Sequence, residues 1–296
     1  MSFDKIFVLG AGAIGSSYGA LLSRKNDVTL IGNENHVDAI ISRGLTLSGD
    51  VQKEFFIKAE TIIREVPSNT LTLLTTKAHD SEKAITGIKG LLKDDTVILI
   101  LQNGLGNKEL VKRIVRDEIQ IVRGLVKSAA EFLEPGKIAF WNGETILEQT
   151  KMSKRIVWLF NESGLRTRIS NEMDEEMWNK LVVNCVVNPI TAILRVRDNE
   201  VAVDSLRQLR HGIVEECVKV GKCEGIVFQL DLKEAIEKDI MKFTNFSSMC
   251  QDIMKRKKTE IDFLNGKIVE LGKKHNIPTP INEAMTCLIK FLEENK

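Results

Sequence analysis

The chain has no excess of either charge: 42 lysines and arginines stand against 41 aspartates and glutamates, for a net charge of +1. A nucleic-acid surface needs a clear basic excess, so that class of partner is excluded as the main one. Cysteine is scarce. The five residues, Cys185, Cys217, Cys223, Cys250 and Cys287, are odd in number and show no paired spacing. They describe neither a disulfide framework nor a zinc site, and read as reduced thiols. No apolar run reaches the ~18 residues that span a bilayer. The opening Met1-Ser2-Phe3-Asp4-Lys5 has no signal-peptide pattern. A cytoplasmic location, away from any membrane, is expected. Repeats and low-complexity linkers are missing as well.

What is present is ordinary for a globular protein: 296 residues, 43% apolar and 28% charged. That length suggests two domains of roughly 150 residues each. The first half alternates short apolar runs with amphipathic segments. Strands are expected at Lys5–Leu9, Val28–Ile31, Leu71–Thr75, Thr96–Leu101 and Ile121–Leu125. Helices are expected at Ala13–Ser23, from about His36 to Arg43, and at Asp80–Leu92. Pro135–Glu148 reads as a small antiparallel addition, and helix Ser153–Ser163 with strand Arg166–Ile169 closes the region. From Ser170-Asn171 onward the chain reads as nearly all helix, with Glu172, Asp174, Glu175 and Glu176 loading a first turn where the helix dipole favours acids. The expected fold class is therefore α/β. A Rossmann-type, doubly wound parallel sheet would occupy residues 1–170, and an all-helical C-terminal domain residues 171–296.

Gly10-Ala11-Gly12-Ala13-Ile14-Gly15 fits G-x-G-x-x-G. The pattern is weak alone, but here it follows a strand and opens a helix, which is the context that makes it informative. Gly10 would permit the tight turn, Gly12 the approach of a pyrophosphate, and Gly15 close helix–strand packing. The helix N-terminus would then face the phosphates. At the end of the second strand an acid favours NAD and an arginine NADP. The chain offers Ile31-Gly32-Asn33-Glu34-Asn35-His36, without arginine. Asn33 or Glu34 could hold ribose hydroxyls, and Glu34 would repel a 2′-phosphate; Glu34 as a solvated loop acid is the alternative.

Lys180, Asn184 and Asn188 recur every four residues among Val, Leu and Cys. On a helix they form one polar stripe on an otherwise buried surface. Buried amides and an ammonium need partners, and a small polar substrate would supply them. A lysine partly withdrawn from water is suited to donate a proton near neutral pH. An interhelical hydrogen-bond network with a snorkelling lysine is the competing explanation. Asn245, Ser247, Ser248 and Glu260 make a second polar cluster, with helix capping and solvent exposure as their bland readings. Asn103, in Gln102-Asn103-Gly104, and Lys77, in Thr76-Lys77-Ala78, lie just after strands, where open α/β sheets bind ligands. Asn103 could equally be one half of an Asn-Gly turn.

In this order the chain resembles the ketopantoate reductase family along essentially its whole length. The matching pieces are the Gly10–Gly15 loop, Thr76-Lys77-Ala78, Gln102-Asn103-Gly104, and Trp178 with Lys180-Leu181 and Asn184. Further along come Asn188-Pro189-Ile190-Thr191, Ser247-Ser248-Met249 with Gln251-Asp252, and Thr259-Glu260-Ile261-Asp262 with Asn265-Gly266. The resemblance implies an active site in the interdomain cleft and NADPH-dependent reduction of 2-dehydropantoate to pantoate, with no metal. By position, Lys180 would be the proton donor. Asn184, Asn188 and the Asn245–Ser248 segment would bind substrate. Lys77, Asn103 and Ala129 would contact the cofactor, with Asn103 also near the substrate. Glu260 would sit beside cofactor and lysine.

Two positions depart from the family pattern. Asn33 stands where an arginine usually grips the 2′-phosphate, which leaves NADH open beside the NADP(H) the family implies. Asp198, followed by Asn199, stands where a further substrate-side asparagine is usual, and its charge would oppose a carboxylate ligand. Two rival functions remain. One is reduction of another branched 2-keto acid, as by a D-2-hydroxyacid dehydrogenase on the same scaffold, with residues near Ile193–Arg197 deciding. The other is a non-catalytic nicotinamide sensor, which should have lost Lys180, Asn184 and Glu260. Monomer and homodimer are both open.

Overall fold

The computed structural model describes residues 2–295. The chain divides into two compact units. The first runs to Gln102 and resumes over Gly106–Met173; the second takes Asn103–Leu105 and everything from Asp174 onward.

The first unit opens with β1 (Lys5–Leu9), α1 (Ala13–Leu22), β2 (Val28–Ile31) and α2 (Glu34–Arg43). Three short strands follow, β3 (Leu45–Gly49), β4 (Lys53–Phe55) and β5 (Lys58–Glu60). Next come β6 (Thr70–Leu74), α3 (Ser81–Ile88), β7 (Val97–Ile100), α4 (Asn107–Ile114) and β8 (Gln120–Val126). The unit ends with β9 (Ala129–Glu134), β10 (Lys137–Trp141), β11 (Thr145–Glu148), α5 (Ser153–Glu162) and β12 (Thr167–Ser170).

The main sheet has the order β12-β11-β8-β7-β6-β1-β2-β5. It is parallel throughout except where β11 runs against β8. Its central strands are apolar on both faces, as a sheet covered on both sides requires: Ile6, Leu30, Leu71, Leu73 and Val97–Leu99 are all fully buried. A second sheet, β4-β3-β10-β9, lies apart from the first. The addition expected at Pro135–Glu148 thus splits. β10 joins the small sheet, while β11 extends the large one. Strands β3 to β5 and helix α4 were not anticipated from local pattern, and α2 starts two residues before the expected His36.

The second unit is helical: α6 (Met173–Leu194), α7 (Arg207–Cys223), α8 (Leu232–Ile240), α9 (Ser248–Met254), α10 (Asn265–Lys274) and α11 (Pro280–Glu294). Its core gathers Leu181, Val182, Cys185, Val186 and Ile190 of α6 with Ile213, Cys217 and Val220 of α7, and with Met249, Ile268 and Ile289. Helix α6 has 22 residues and is long and apolar enough to cross a membrane by length and composition, but 61% of its most apolar 18-residue window is buried inside the protein. It is a core helix whose apolar sequence is broken by Lys180, Asn184 and Asn188.

Pro189 lies inside α6. Proline has no N–H, so the carbonyl of Cys185 loses its helical donor. Asn265 replaces it. Its Nδ2 donates to the Cys185 oxygen at 2.9 Å and to Asn282 Oδ1 at 2.9 Å. Asn282 Nδ2 in turn donates to Glu216 Oε2 at 2.7 Å, and the backbone N–H groups of Ile281 and Asn282 donate to the same carboxylate. Asn265 and Asn282 are fully buried. This polar chain ties α6, α7, α10 and α11 together behind the stripe.

Candidate active site

Strands β1, β2, β6, β7 and β8 run parallel, so the loops at their carboxyl ends share one edge of the sheet. The Gly10–Gly15 loop follows β1, Asn33 follows β2, Lys77 follows β6, and Ala129 comes shortly after β8. In the loop, Gly10 has φ +114°, and a Cβ there would lie 2.4 Å from the Thr76 nitrogen. A Cβ on Gly15 would lie 2.2 Å from the Gly10 oxygen. Over Gly12 the space is open, with nothing within 4 Å of a built Cβ. Helix α1 makes its first backbone bond from the Ser16 nitrogen to the Gly12 oxygen at 2.9 Å, so the N–H groups of Ala13 to Gly15 precede the ladder. A turn closed tightly at two glycines and open at the third, at a helix N-terminus, fits a dinucleotide pyrophosphate.

Two side chains with no role expected from the sequence brace this edge. Thr75 Oγ1 donates to the Gly10 oxygen at 2.8 Å. Gln102 Nε2 reaches the Thr76 oxygen at 2.7 Å, Thr76 Oγ1 at 3.0 Å and Ser81 Oγ at 2.7 Å, holding the segment that carries Lys77. Only their place after β6 and β7 hinted at such a role. Asn33 is the N-cap of α2: its Oδ1 accepts from the His36 nitrogen at 3.0 Å. Glu34 is exposed in the first turn. Helix α2 is further held by the His36 ring, which is buried. Gly136 N–H donates to Nδ1 at 3.0 Å, so the neutral ring carries its proton on Nε2, 3.0 Å from Ser16 Oγ on α1. Burial pulls the His36 imidazole down to about 4.

In the second unit, α6 carries Lys180 and Asn184 half-buried and Asn188 buried. Lys180 Nζ donates to Asn103 Oδ1 at 2.8 Å, across 77 residues of sequence. The next residue, Gly104, has φ +84°, and a Cβ there would meet the Phe263 oxygen at 2.5 Å. Phe263 ends the short 3-10 turn Ile261–Phe263, which the buried Glu260 precedes. The Asn-Gly turn thus brings Asn103 to Lys180 while seating Gly104 against the Glu260 turn.

The second polar cluster resolves residue by residue. Ser247 caps α9, accepting from Cys250 N–H at 3.1 Å, and pairs with Thr191 Oγ1 at 2.7 Å, one turn beyond Asn188. Ser248 is exposed. Asn245 Nδ2 donates to Asp198 Oδ2 at 3.0 Å. Asp198, met in the sequence only as a departure, is the buried hub of this turn, and burial pushes its carboxyl up to about 7.

Comparison with known proteins follows the same division. Residues 6–151 match the family model described as ketopantoate reductase PanE/ApbA, and residues 172–293 match the model of that family's C-terminal part. The 2-dehydropantoate 2-reductase of Pyrococcus horikoshii is 35% identical over 98% of this chain and 97% of its own length. That of Lactococcus lactis is 30% identical over 98% of both. Among solved structures, a PanE/ApbA family ketopantoate reductase from Ralstonia eutropha superposes with a TM-score of 0.93 at 29% identity, covering 98% of this chain and 99% of its own. A D-mandelate dehydrogenase solved with NADH and anilino(oxo)acetate gives 0.90 at 28%, with the same coverage. With both parts of the family model matched in order and full-length relatives at this identity, the chain belongs to the ketopantoate reductase family.

Proposed function

We propose that this chain reduces 2-dehydropantoate to (R)-pantoate, a step towards pantothenate and coenzyme A in the cytoplasm, with NAD(P)H as hydride donor and Lys180 as proton donor. The observation that carries the reading is the Lys180 ammonium, set in the polar stripe of the core helix α6 and held by the Asn103 amide oxygen at 2.8 Å. The bond to the Asn103 oxygen fixes where the ammonium presents its charge and its protons.

The cofactor residues are proposed to be Gly10, Ala11, Gly12, Ala13, Ile14 and Gly15 around the pyrophosphate, with Asn33, Lys77, Asn103, Ala129 and Glu260 along the remainder. When bound, the dinucleotide supplies a hydride to the keto carbon. Lys180 stabilises the charge that develops on the keto oxygen and passes a proton to it. Asn103, Asn184, Asn188, Asn245, Ser247 and Ser248 hold the substrate hydroxyl and carboxylate, and such positioning supplies several kcal/mol. Glu260 orients Lys180. Residues 1–170 are taken as the dinucleotide-binding domain and 171–296 as the substrate and catalytic domain. NADPH is the cofactor the family implies. Asn33, in place of the usual arginine, is proposed to let NADH compete.

Loss of reduced-nicotinamide absorbance with 2-dehydropantoate, run with NADPH and NADH in parallel, tests this. Lys180→Ala is expected to lower kcat by about 10²–10⁴-fold while the dissociation constant for the reduced cofactor stays as in the parent. Absence of turnover with either cofactor, in protein shown to bind one of them, would overturn the assignment. The likeness to D-mandelate dehydrogenase supports a second reading, reduction of a bulkier 2-keto acid. Competition between 2-dehydropantoate and an aromatic 2-keto acid decides between them.

A further inference from the structure

Asp198 is an acid placed where charge is hard to sustain. It is 7% exposed. It opens the 3-10 turn after α6, and its backbone N–H donates to the Asn245 oxygen at 3.0 Å. Its two carboxyl oxygens differ. Oδ2 accepts from Asn245 Nδ2 at 3.0 Å. Oδ1 is buried without a hydrogen-bond partner among the described residues. The carboxyl also accepts from the Ser247 backbone N–H.

Three of the charged groups around it, Arg197, Glu200 and Arg210, are bound elsewhere. Arg197, the preceding residue, donates to the Thr244 oxygen and stacks over Phe246 at 4.7 Å from the ring centroid. Glu200 accepts from the Arg197 backbone. Arg210 of α7 is bound to Glu237 of α8 and to the Val201 and Val203 oxygens. Arg195 and Asp198 both act on Cys250 of α9, whose thiol burial pushes up to about 11, so it stays neutral. The forces on Asp198 itself are burial and two neutral donors.

The neighbours that Asp198 holds, Asn245 and Ser247, belong to the substrate set proposed above, and the inference rests on that reading. We propose that Asp198 is a substrate-site carboxyl that takes up a proton from solvent when the 2-keto acid binds, so that keto acid affinity weakens as the solution turns alkaline. The proton belongs on Oδ1, the oxygen that no donor faces, while Oδ2 continues to accept from Asn245. A substrate carboxylate brought against this pair adds a like charge and drives Asp198 further toward its neutral form. The position to which burial raises the carboxyl before keto acid binds, about 7, sets where the effect begins. Above it, affinity falls about tenfold per pH unit, because each binding event must capture one proton.

Asparagine mimics the protonated acid. With its Oδ1 accepting from Asn245 and Ser247, its amide occupies the unfaced position. The test is KM for 2-dehydropantoate and kcat between pH 6 and 9 for the parent and Asp198→Asn, with reduced cofactor saturating. The expected parent KM rises about tenfold between pH 7.5 and 8.5, without a matching fall in kcat, whereas the Asp198→Asn KM stays flat. Calorimetry of the parent at pH 8 with the unreduced keto acid and oxidised cofactor, in buffers of different ionisation enthalpy, should report one proton taken up per keto acid. This second measurement stands if the variant fails to fold. Parallel KM profiles in parent and variant, or no proton uptake, overturn the proposal while turnover upholds the reductase reading. Neither turnover nor binding with any 2-keto acid overturns both.

Discussion

The two candidate regions, one in each unit, are built from different material. At the β1–α1 loop the candidate surface is backbone, and three glycines decide its shape. On α6 the surface is side chains, and what decides it is the partner each one finds: Asn103 for Lys180, 77 residues away, and Thr191 for Ser247, 56 residues away. A backbone site concentrates its information in a few adjacent residues and is spelled out locally. A side-chain site spreads its information over the chain. Substitutions should therefore fail differently in the two places.

The sharpest contrast lies within the glycine loop itself. Gly15→Ala would put a Cβ 2.2 Å from the Gly10 oxygen, an atom that cannot move without opening the turn. A loss of about 3 kcal/mol or more is expected, together with loss of dinucleotide binding. Gly12 has φ −81° and empty space beyond it. Gly12→Ala should leave stability unchanged or raise it by about 0.4–1 kcal/mol, since alanine restricts the unfolded chain. It should nonetheless weaken reduced-cofactor binding by at least about tenfold, because the proposed pyrophosphate would occupy that space. Thermal unfolding and a fluorescence titration with NADH and NADPH measure both. A Gly12→Ala protein that binds dinucleotide as the parent does would remove the pyrophosphate from this loop.

On the side-chain half the corresponding weak point is Asn265. Asn265→Ala would leave the Cys185 oxygen without its donor and Asn282 Oδ1 with only the Cys217 thiol, in a fully buried position. The orphaned carbonyl costs about 1–3 kcal/mol, and the vacated volume and the weakened Asn282 contact add to it, so a loss of about 2–4 kcal/mol is expected. Urea unfolding of the variant checks this. If Pro189→Ala in the same background restores much of the loss, the helical donor to Cys185 has been recovered and the role assigned to Asn265 holds. No recovery would mean that the Asn282–Glu216 connection is what matters.

The same contrast accounts for what could be read in advance. The alternation of β1, α1 and β2, the all-apolar central strands and the switch to helix near residue 170 follow from local periodicity. The strands β3 to β5 did not show, because they are three to five residues long and partly exposed, and β3 takes one of its two neighbours from far along the chain, with Thr46 opposite Lys137. Asn33 was legible as a residue at the end of β2. Its capping bond to His36 appears only once α2 is seen to start at Glu34. The stripe Lys180, Asn184, Asn188 was visible from spacing. Asp198 was visible only as a departure, since its Asn245 partner lies 47 residues on.

The effect that reports on both units at once is with pH. His36 sits in the first unit with its pKa lowered to about 4 from 6.5. The unfolded chain therefore binds more protons between those values. Its stabilising contribution is fully present above 6.5 and is lost as pH falls towards 4, by up to about 3 kcal/mol. Asp198 sits in the second unit with its pKa raised to about 7 from 3.8. Here the folded chain binds more protons, so its contribution is present below 3.8 and is lost as pH rises through 7. Between pH 4.5 and 6.5 the two units should move in opposite directions. Amide hydrogen exchange, corrected for intrinsic pH dependence, should show β1, β2 and α1 gaining protection as pH rises while α6, α9 and the Asp198 turn lose it. His36→Gln should flatten only the first trend, and Asp198→Asn only the second. Protection that rises in both units together would mean that the two titrations are felt by the whole chain and not by the unit that houses each.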